Sequence, residues 1–397
     1  MQGLSIGLAA VALALSVPAW ALLVLTLRAG RRPSSAEAHP TGSPGLRAAV
    51  LVPAHNESRN VLPTIACLLP QMRSGDRLVV IADNCSDDTA ALARDAGAQV
   101  IERHRPDLRG KGYALACGVD FLRTDPPDVV MVVDADCTVT ADAVARVASR
   151  CAETARPVQM LNLMHAAPGA GVRLRILEFA MVVKNLVRPL GAYRLGGACH
   201  LMGTGMALPW TLMSSAQLAT GHLAEDMKLG VDLALSGHPA HFYLDAEVSS
   251  AFPEDAQVAR VQKSRWEHGH LTTLREELPR LLGAGLRTRS SALGVLALDL
   301  LIPPLALYVL TLGLAFALAI GASLASSWFI PACAVLALGA LALIWAVLLA
   351  WFRHGQHLLS ARELLTTPLY ALWKLPVYVT YALRRRSGWV RTKRKSE

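Results

Sequence analysis

Three long apolar stretches frame a middle region in which apolar and polar positions alternate. The stretches are Leu4–Leu27, Ala292–Ile320 and Ile330–Phe352, and each is long enough for the roughly 20 residues with which a helix crosses a bilayer. A cleavable signal peptide is the alternative for the first stretch, but its basic residues follow the apolar run instead of preceding it. We therefore predict an N-terminal transmembrane helix within residues 1–30 and two transmembrane helices within 291–352.

The middle region alternates short apolar runs with stretches of helical periodicity. Each apolar run is rich in β-branched residues and ends in polar ones, and helical spacing of apolar residues occurs at Val61–Leu69 and Asp87–Gly97 between them. The four runs are Arg47–Ala54, Arg77–Asn84, 98–103 and 128–136. Strands that alternate with helices form a parallel sheet covered on both faces. We predict an α/β, Rossmann-like domain over residues 46–282.

Basic residues set the expected orientation in the membrane. The formal net charge is +9, and arginines flank the middle region at both ends, whereas the short loop Gly321–Trp328 carries no charge. Cytoplasmic loops of membrane proteins carry the excess of Lys and Arg. We predict a multi-pass protein of the cell inner (plasma) membrane, with the N-terminus outside and the middle domain cytoplasmic. The flanking arginines are Arg28, Arg31, Arg32, Arg280, Arg287, Arg289 and Arg353.

The composition narrows the class further. Hydrophobic residues make up 53% of the chain, above the about 45–50% of ordinary soluble domains. The 7 cysteines are scattered without a CxxC pair, so neither a disulfide framework nor a zinc site is expected. No nucleic-acid recognition motif accompanies the positive charge, and we expect no nucleic-acid partner.

The C-terminal region, residues 361–397, combines an apolar, aromatic segment with a basic tail. The segment Thr366–Leu383 is interrupted by Pro368, Lys374 and Pro376. Such a segment is expected to lie in the membrane interface as an amphipathic helix, and a fourth crossing is the alternative. The tail that follows is either simply solvated or attracted to anionic lipid head groups.

Polar residues follow the predicted strands at the edge where parallel sheets bind ligands. They are His55-Asn56-Glu57, Asp83-Asn84 and Asp134-Ala135-Asp136. Asp134 and Asp136 lie two positions apart, so in a strand their side chains would leave the same face. Such carboxylates suit Mg²⁺ or Mn²⁺ together with a phosphate ligand. An ordinary polar turn is the alternative at each single strand end.

Three further motifs carry candidate chemistry. In RGKGYAL, Arg109–Leu115, the basic residues could bind a phosphate and the glycines would let the backbone approach it closely. The alternative is a glycine-rich turn whose charges are solvated. Glu225-Asp226 begin a largely apolar helical pattern, where acids also act as helix-dipole partners. QKSRW, Gln262–Trp266, places an arginine near a glutamine and beside an aromatic residue, which makes it a candidate part of a site. The alternative is that this segment belongs to an amphipathic helix on the membrane surface.

Together these motifs resemble those of the membrane-bound glycosyltransferases of family two. ADN at 82–84, DAD at 134–136, AED at 224–226 and QKSRW at 262–266 occur in the order of that family, which includes cellulose, chitin and hyaluronan synthases and ceramide glucosyltransferase. VPAHNES, RGKGYAL and LWKLPVYV are also similar to family sequences. The resemblance implies a GT-A catalytic domain with α-helical transmembrane segments, and inverting attack of an acceptor hydroxyl on C1 of a nucleoside diphosphate sugar.

The resemblance also implies roles for single residues. Asp83 would hold the base or ribose, Asp134 and Asp136 the nucleotide and the metal, with Asp136 as ligand of Mg²⁺ or Mn²⁺. Asp226 would be the general base, and Lys111 and Arg265 would bind the diphosphate. The expected acceptor site consists of Glu225, Gln262, Trp266 and the loop Leu201–Trp210 with Gly203 and Thr204.

The expected reaction is transfer of one hexosyl or N-acetylhexosaminyl group, with a UDP-sugar as the first expectation for the donor. The acceptor would be lipid-linked or a saccharide, in surface polysaccharide or glycolipid synthesis. Processive synthases usually have more spans after the catalytic domain, so chain elongation is the alternative. A non-catalytic membrane scaffold, a sugar-nucleotide pyrophosphorylase and a transporter are the other candidates.

Overall fold

A computed structural model describes residues 2–32, 45–253, 256–373 and 375 of the chain. The strands are β1 Ala48–Ala54, β2 Arg77–Asp83, β3 Gln99–Arg103, β4 Val129–Val132, β5 Cys137–Val139, β6 Val158–His165, β7 Met206–Pro209 and β8 His241–Ala251. The helices of the middle region are α2 Val61–Leu68, α3 Thr89–Asp95, α4 Lys111–Leu122, α5 Ala143–Thr154, α6 Val172–Val182, α7 Arg188–Gly196, α8 Trp210–Ser215, α9 Glu225–Leu235 and α10 Ala256–Thr288. The remaining helices are α1 Gln2–Ala29, α11 Ser291–Leu300, α12 Leu305–Ala325, α13 Ile330–His354, α14 Ala361–Leu364 and α15 Thr367–Trp373.

The described strands form one mixed sheet in the order β3-β2-β1-β4-β7-β6-β8-β5. β1 pairs in parallel with β2 and β4, and β2 pairs in parallel with β3. Apolar side chains of this half are buried on both faces, in two separate clusters, as expected for a parallel sheet between helix layers. The predicted alternation of strands and helices over the first half of the domain is therefore confirmed.

The second half of the sheet is mixed, with β6 parallel to β8 and the other pairs antiparallel, and this half was not predicted. β7 pairs antiparallel with β4 and β6, and β5 pairs antiparallel with β8. The prediction of a loop over Leu201–Trp210 is wrong for its second half, because β7 occupies Met206–Pro209. Met206, Ala207 and Leu208 are buried there, and this burial stabilises a strand between β4 and β6.

Three helices of the described chain are long and apolar enough to cross a membrane: Ser5–Ala29, Leu305–Ala325 and Ser327–His354. The stretch Ala292–Ile320, predicted as one span, is divided into α11 and α12 instead. Pro303 and Pro304 follow α11, and proline lacks the backbone N–H that would continue a helix and clashes with the preceding turn. Only α12 is then available as the second candidate span.

α1 and α13 lie side by side and run in the same direction. From α1, Ser5 Oγ donates to the Trp328 carbonyl at 3.1 Å and Ser16 Oγ donates to the Val335 carbonyl at 3.3 Å. From α13, Arg353 Nη1 donates to the Thr26 carbonyl at 2.9 Å. Since α12 joins α13 through a short turn, the start of α1 and that turn lie at the same end of the helical layer.

The middle domain is packed against the opposite end of this layer. A side chain at Gly191 of α7 would overlap the Leu25 carbonyl of α1, so the two helices touch backbone to backbone. Arg194 binds the Ala29 carbonyl. The predicted interfacial segment Thr366–Leu383 is described only as far as α15 and Leu375, and the basic tail lies outside the described residues.

Candidate active site

The loop before β7 is bonded to the end of β4, where the two aspartates follow. The Gly205 N–H donates to the Val132 carbonyl at 2.9 Å, and the Asp134 N–H donates to Thr204 Oγ1 at 3.1 Å. The predicted acceptor loop with Gly203 and Thr204 therefore lies directly against the predicted metal and nucleotide site.

Lys111 is the first residue of α4 and joins these two segments. Its ammonium group forms an ion pair with Asp134 and donates to the Gly203 carbonyl at 2.8 Å. Burial alone would lower the pKa of Lys111, but the charges of Asp134, Glu225 and Asp226 outweigh it and raise that pKa. The side chain therefore stays a cation, as a diphosphate-binding group must.

Asp226 reaches the same loop from the start of α9. A Cβ at Gly203 would lie 3.0 Å from Asp226 Oδ2 and 3.5 Å from Lys111 Nζ. Gly203 also has a φ of +83°, a conformation that side chains disfavour. Glycine at this position thus lets the predicted base and the predicted diphosphate ligand approach the same point.

Glu225, the neighbour of Asp226, is in a different electrostatic environment. Burial and the charge of Asp226 raise the pKa of Glu225 to about 7, although the charges of Lys111 and Arg265 oppose the rise. Glu225 thus keeps its proton to a higher pH than an exposed glutamate does.

Asp134, Asp136 and Cys137 together could hold a metal ion. Each offers a ligand atom, and these atoms all lie within 4.8 Å of one another. Burial raises the pKa of the Cys137 thiol far above its usual value, and a protonated thiol is a poor ligand. The donor set is then two carboxylates, which fits Mg²⁺ or Mn²⁺ better than a thiophilic ion. Because Lys111 occupies one oxygen of Asp134, this pairing favours Asp136 as the metal ligand.

Asp83 ends β2 and is buried. Arg103 Nη1 lies 2.5 Å from its Oδ1 and also donates to the Leu108 carbonyl at 2.9 Å. His55 Nδ1 donates to the Asp83 carbonyl at 2.6 Å. Asp83, which is predicted to hold the base or ribose, is thus held in place by Arg103. The sequence motifs did not identify this arginine.

QKSRW lies on the helix α10. The charge of Arg265 acts on Glu225, so this arginine belongs to the surroundings of the site. Trp266 packs against the cluster of Met164, Met181 and Phe252. Gln262 lies one helical turn before Trp266 and is partly buried.

Two further residues of the site were missed. Gln159 is fully buried in β6; its Nε2 donates to the Thr204 carbonyl at 2.9 Å and its Oε1 accepts from the Met202 N–H at 2.8 Å, which fixes the loop. Lys184 has its Nζ 5.8 Å from the centroid of the Trp266 ring. A lysine inside the apolar run VVKNLV was the available signal for Lys184, whereas nothing in the sequence distinguishes Gln159.

Comparison with known proteins identifies the family of the chain. The family model described as "Glycosyltransferase like family 2" matches residues 44–269. An uncharacterized glycosyltransferase of Mycobacterium tuberculosis is 39% identical over 87 residues, which is 22% of this chain and 35% of that protein. The probable glycosyltransferase YdaM of Bacillus subtilis is 23% identical over 232 residues, 56% of this chain and 55% of that protein. The chain thus spans only about a third to a half of the curated relatives it matches.

Among solved structures, the mannosyltransferase PcManGT from Pyrobaculum calidifontis, in complex with GDP-Man and Mn²⁺, is similar over 87% of this chain and 99% of that chain. The TM-score is 0.52 and the sequence identity 19%, so the likeness concerns the fold and confirms the predicted GT-A architecture. Because the family model covers more than half of its residues, the chain belongs to glycosyltransferase like family 2.

Proposed function

We propose that the protein is an inverting glycosyltransferase, which moves one sugar from a nucleoside diphosphate sugar to a lipid-linked or saccharide acceptor at the cytoplasmic membrane face. The observation that carries the proposal is the convergence of Lys111 and Asp226 on Gly203, beside Asp134. A cation for a leaving diphosphate and a carboxylate base thereby share one small volume, as in-line sugar transfer requires.

The donor lies along the carboxyl edge of the sheet. Asp83 holds the base or ribose, and Lys111 and Arg265 bind the diphosphate. A Mg²⁺ or Mn²⁺ ion held by Asp136 would neutralise charge on the leaving diphosphate. The Pyrobaculum mannosyltransferase, of the same fold, was solved with GDP-Man and Mn²⁺, which supports a nucleotide sugar and a divalent ion here.

The acceptor approaches from the side of α10. Its hydroxyl oxygen forms a bond to C1 of the sugar while the bond from C1 to the diphosphate oxygen breaks, and the hydroxyl proton passes to Asp226. Asp226 is assigned as the base because its carboxylate oxygen lies beside Gly203, close to Lys111. Gln262 and Trp266 line the acceptor entrance.

The three long apolar helices support a location of this chemistry at a membrane. α1, α12 and α13 cross it, and the catalytic domain lies at the end where Arg28, Arg31 and Arg32 follow α1, which the positive-inside rule assigns to the cytoplasm. Only three helices of the described chain are long and apolar enough to span, and this favours single transfer over elongation through a channel built by one subunit.

The first test is donor turnover by the purified full chain in detergent. We expect release of nucleoside diphosphate from a screen of UDP- and GDP-sugars with Mg²⁺ or Mn²⁺. Asp226→Asn should lower the transfer rate by about 10²–10⁴-fold, because a general base contributes that much, while donor binding by isothermal titration stays nearly unchanged.

Asp232→Asn is the matched control on the same helix. Asp232 pairs with Lys228 at 2.7 Å and with Arg280 at 3.0 Å, and it belongs to no part of the proposed site, so this variant should turn over donor like the wild type. Normal turnover by Asp226→Asn would refute the assignment of the base. Absence of both binding and turnover across the screen would leave the non-catalytic scaffold as the better description.

A further inference from the structure

Lys184 is an exposed, charged residue in an otherwise buried segment. It lies in a single π-helical turn, Val183–Val187, between α6 and α7. Its neighbours Val183, Asn185 and Leu186 are buried, whereas Lys184 itself is exposed. π-helical turns are rare and often occur at functional sites, and here the turn brings one charged side chain out of an apolar surface.

The surroundings of Lys184 belong to the acceptor side of the proposed site. Its Nζ lies 5.8 Å from the Trp266 ring centroid, and the charges of Asp226 and Glu267 act on it. Within the part of the chain that the structure describes, its ammonium group makes no hydrogen bond and no ion pair. Although the side chain reaches solvent, desolvation by the surrounding protein and the charge of Arg188 lower the pKa of Lys184 despite those carboxylates, so an anion bound there would stabilise its charged form.

The π-helical turn is firmly held. It packs against β6 and against the candidate spans α1 and α13. Arg188, which follows the turn, donates to Asp299 of α11 through Nε to Oδ1 at 2.7 Å and through Nη2 to the carbonyl at 2.7 Å. Lys184 is therefore presented from a fixed backbone at the junction of the apolar helices and the catalytic domain.

We propose that Lys184 binds a phosphate group of the acceptor, and that the acceptor is an anionic lipid in which phosphate joins the lipid to the sugar that carries the attacking hydroxyl. This inference rests on the proposed function and names its acceptor class. The donor diphosphate already has Lys111 and Arg265, whereas Lys184 stands beside Trp266 and next to the apolar helices, where a lipid phosphate would lie. A charge-assisted hydrogen bond to phosphate is among the stronger polar contacts in proteins.

The test compares two probes that differ by one phosphate, phytanyl phosphoglucose and phytanyl glucoside. Their binding to the full chain in detergent is measured by titration, in the absence of donor, so that the readout needs no catalysis. The wild type should bind the phosphorylated probe at least about tenfold more tightly, as expected for a hydrogen bond to a charged group. Lys184→Gln should lose this preference without changing the affinity for the glucoside, and Lys184→Arg should keep most of it.

Lys228→Gln is the control, since Lys228 pairs with Asp232 outside the cleft. Equal binding of the two probes by the wild type would overturn the inference even if Lys184→Gln did not fold. If Lys184→Gln instead lost donor affinity and donor hydrolysis to the same extent, Lys184 would be assigned to the donor diphosphate. That result would also overturn the inference. Failure of the proposed function is a separate result, because it is read from donor turnover by the wild type.

Discussion

At the scale of single residues, Glu225 gives the site a measurable pH dependence. Its pKa is raised from the usual 4.5 to about 7 in the folded chain, so the folded state holds an extra proton between these values. Stability should therefore fall as pH rises through this window. Glu225→Gln carries no titrating proton, and its apparent melting temperature in detergent should change less over the same range.

Thermal unfolding of both proteins on either side of the window checks this expectation. Asp232→Asn, on the same helix, should retain the pH dependence of the wild type. Identical pH profiles for the wild type and Glu225→Gln would contradict it.

Asp136 is expected to make donor binding depend on a divalent ion. Asp136→Ala should bind the donor in the presence of Mn²⁺ about as weakly as the wild type does with a chelator, because the ion would be held mainly by this carboxylate. Isothermal titration with and without Mn²⁺ measures the effect in both proteins.

Asp120→Ala serves as control for this experiment, since Asp120 is exposed on α4. Donor affinity that is equal with and without metal in the wild type would show that Asp136 has another role.

The residues of the site differ in how far sequence could identify them. Asp134, Asp136 and Asp226 lie in short motifs whose chemistry is visible locally, and the structure brings these segments together. Gln159 acts only by bonding to a loop more than 40 positions away, at Thr204, and such a role has no local signature. The functional assignments themselves stay predictions until the variants are measured.

At the scale of elements, one buried ion pair joins the catalytic domain to the helical layer. Arg188 of α7 and Asp299 of α11 are 6% and 7% exposed. Asp299→Asn should lower the free energy of unfolding by about 3–5 kcal/mol, because it leaves a buried arginine without its partner. Chemical denaturation in detergent checks the loss.

The double variant Arg188→Met/Asp299→Leu should be less destabilised than Asp299→Asn, since apolar replacement of both partners removes the unpaired charge. Asp125→Asn is the surface control; Asp125 pairs with Arg47 in solvent, and such pairs contribute little. Equal losses for Asp299→Asn and Asp125→Asn would show that the buried pair does not stabilise the junction.

The elements themselves were predictable where the pattern is local. β1, β2 and β3 are apolar runs with helices between them, and the parallel half of the sheet followed from that alternation. β7 has four residues and depends on β4 and β6 for its hydrogen bonds, so its sequence alone did not distinguish it from a loop. The break before α12 was not predicted, because the run Ala292–Ile320 is apolar on both sides of Pro303 and Pro304. Hydropathy alone therefore indicates one continuous helix.

At the scale of the whole molecule, the parallel course of α1 and α13 fixes which positions share a side of the membrane. A cysteine in place of Ser326 should react with a membrane-impermeant label in intact cells, whereas one in place of Ser34 should be protected. Ser326 follows α12 on the side of the α1 start. Ser34 comes after Arg28, Arg31 and Arg32 in the sequence, and the positive-inside rule assigns such basic segments to the cytoplasm.

The chain without an introduced cysteine gives the background, since it has 7 cysteines of its own. Labelling at Ser34→Cys with protection at Ser326→Cys would reverse the orientation and place the active site away from cytoplasmic nucleotide sugars.

The close packing of α1 on α13 also constrains the order in which the protein can be completed. Ser16 contacts Val335 across 319 positions of sequence, and a Cβ at Gly339 would lie only 2.5 Å from Ser16 Oγ. Because α1 precedes α13 in the chain, α1 is synthesised before the helix against which it packs. We expect nascent chains that stop before α13 to carry an α1 surface that lacks its α13 partner, recognisable to membrane quality control.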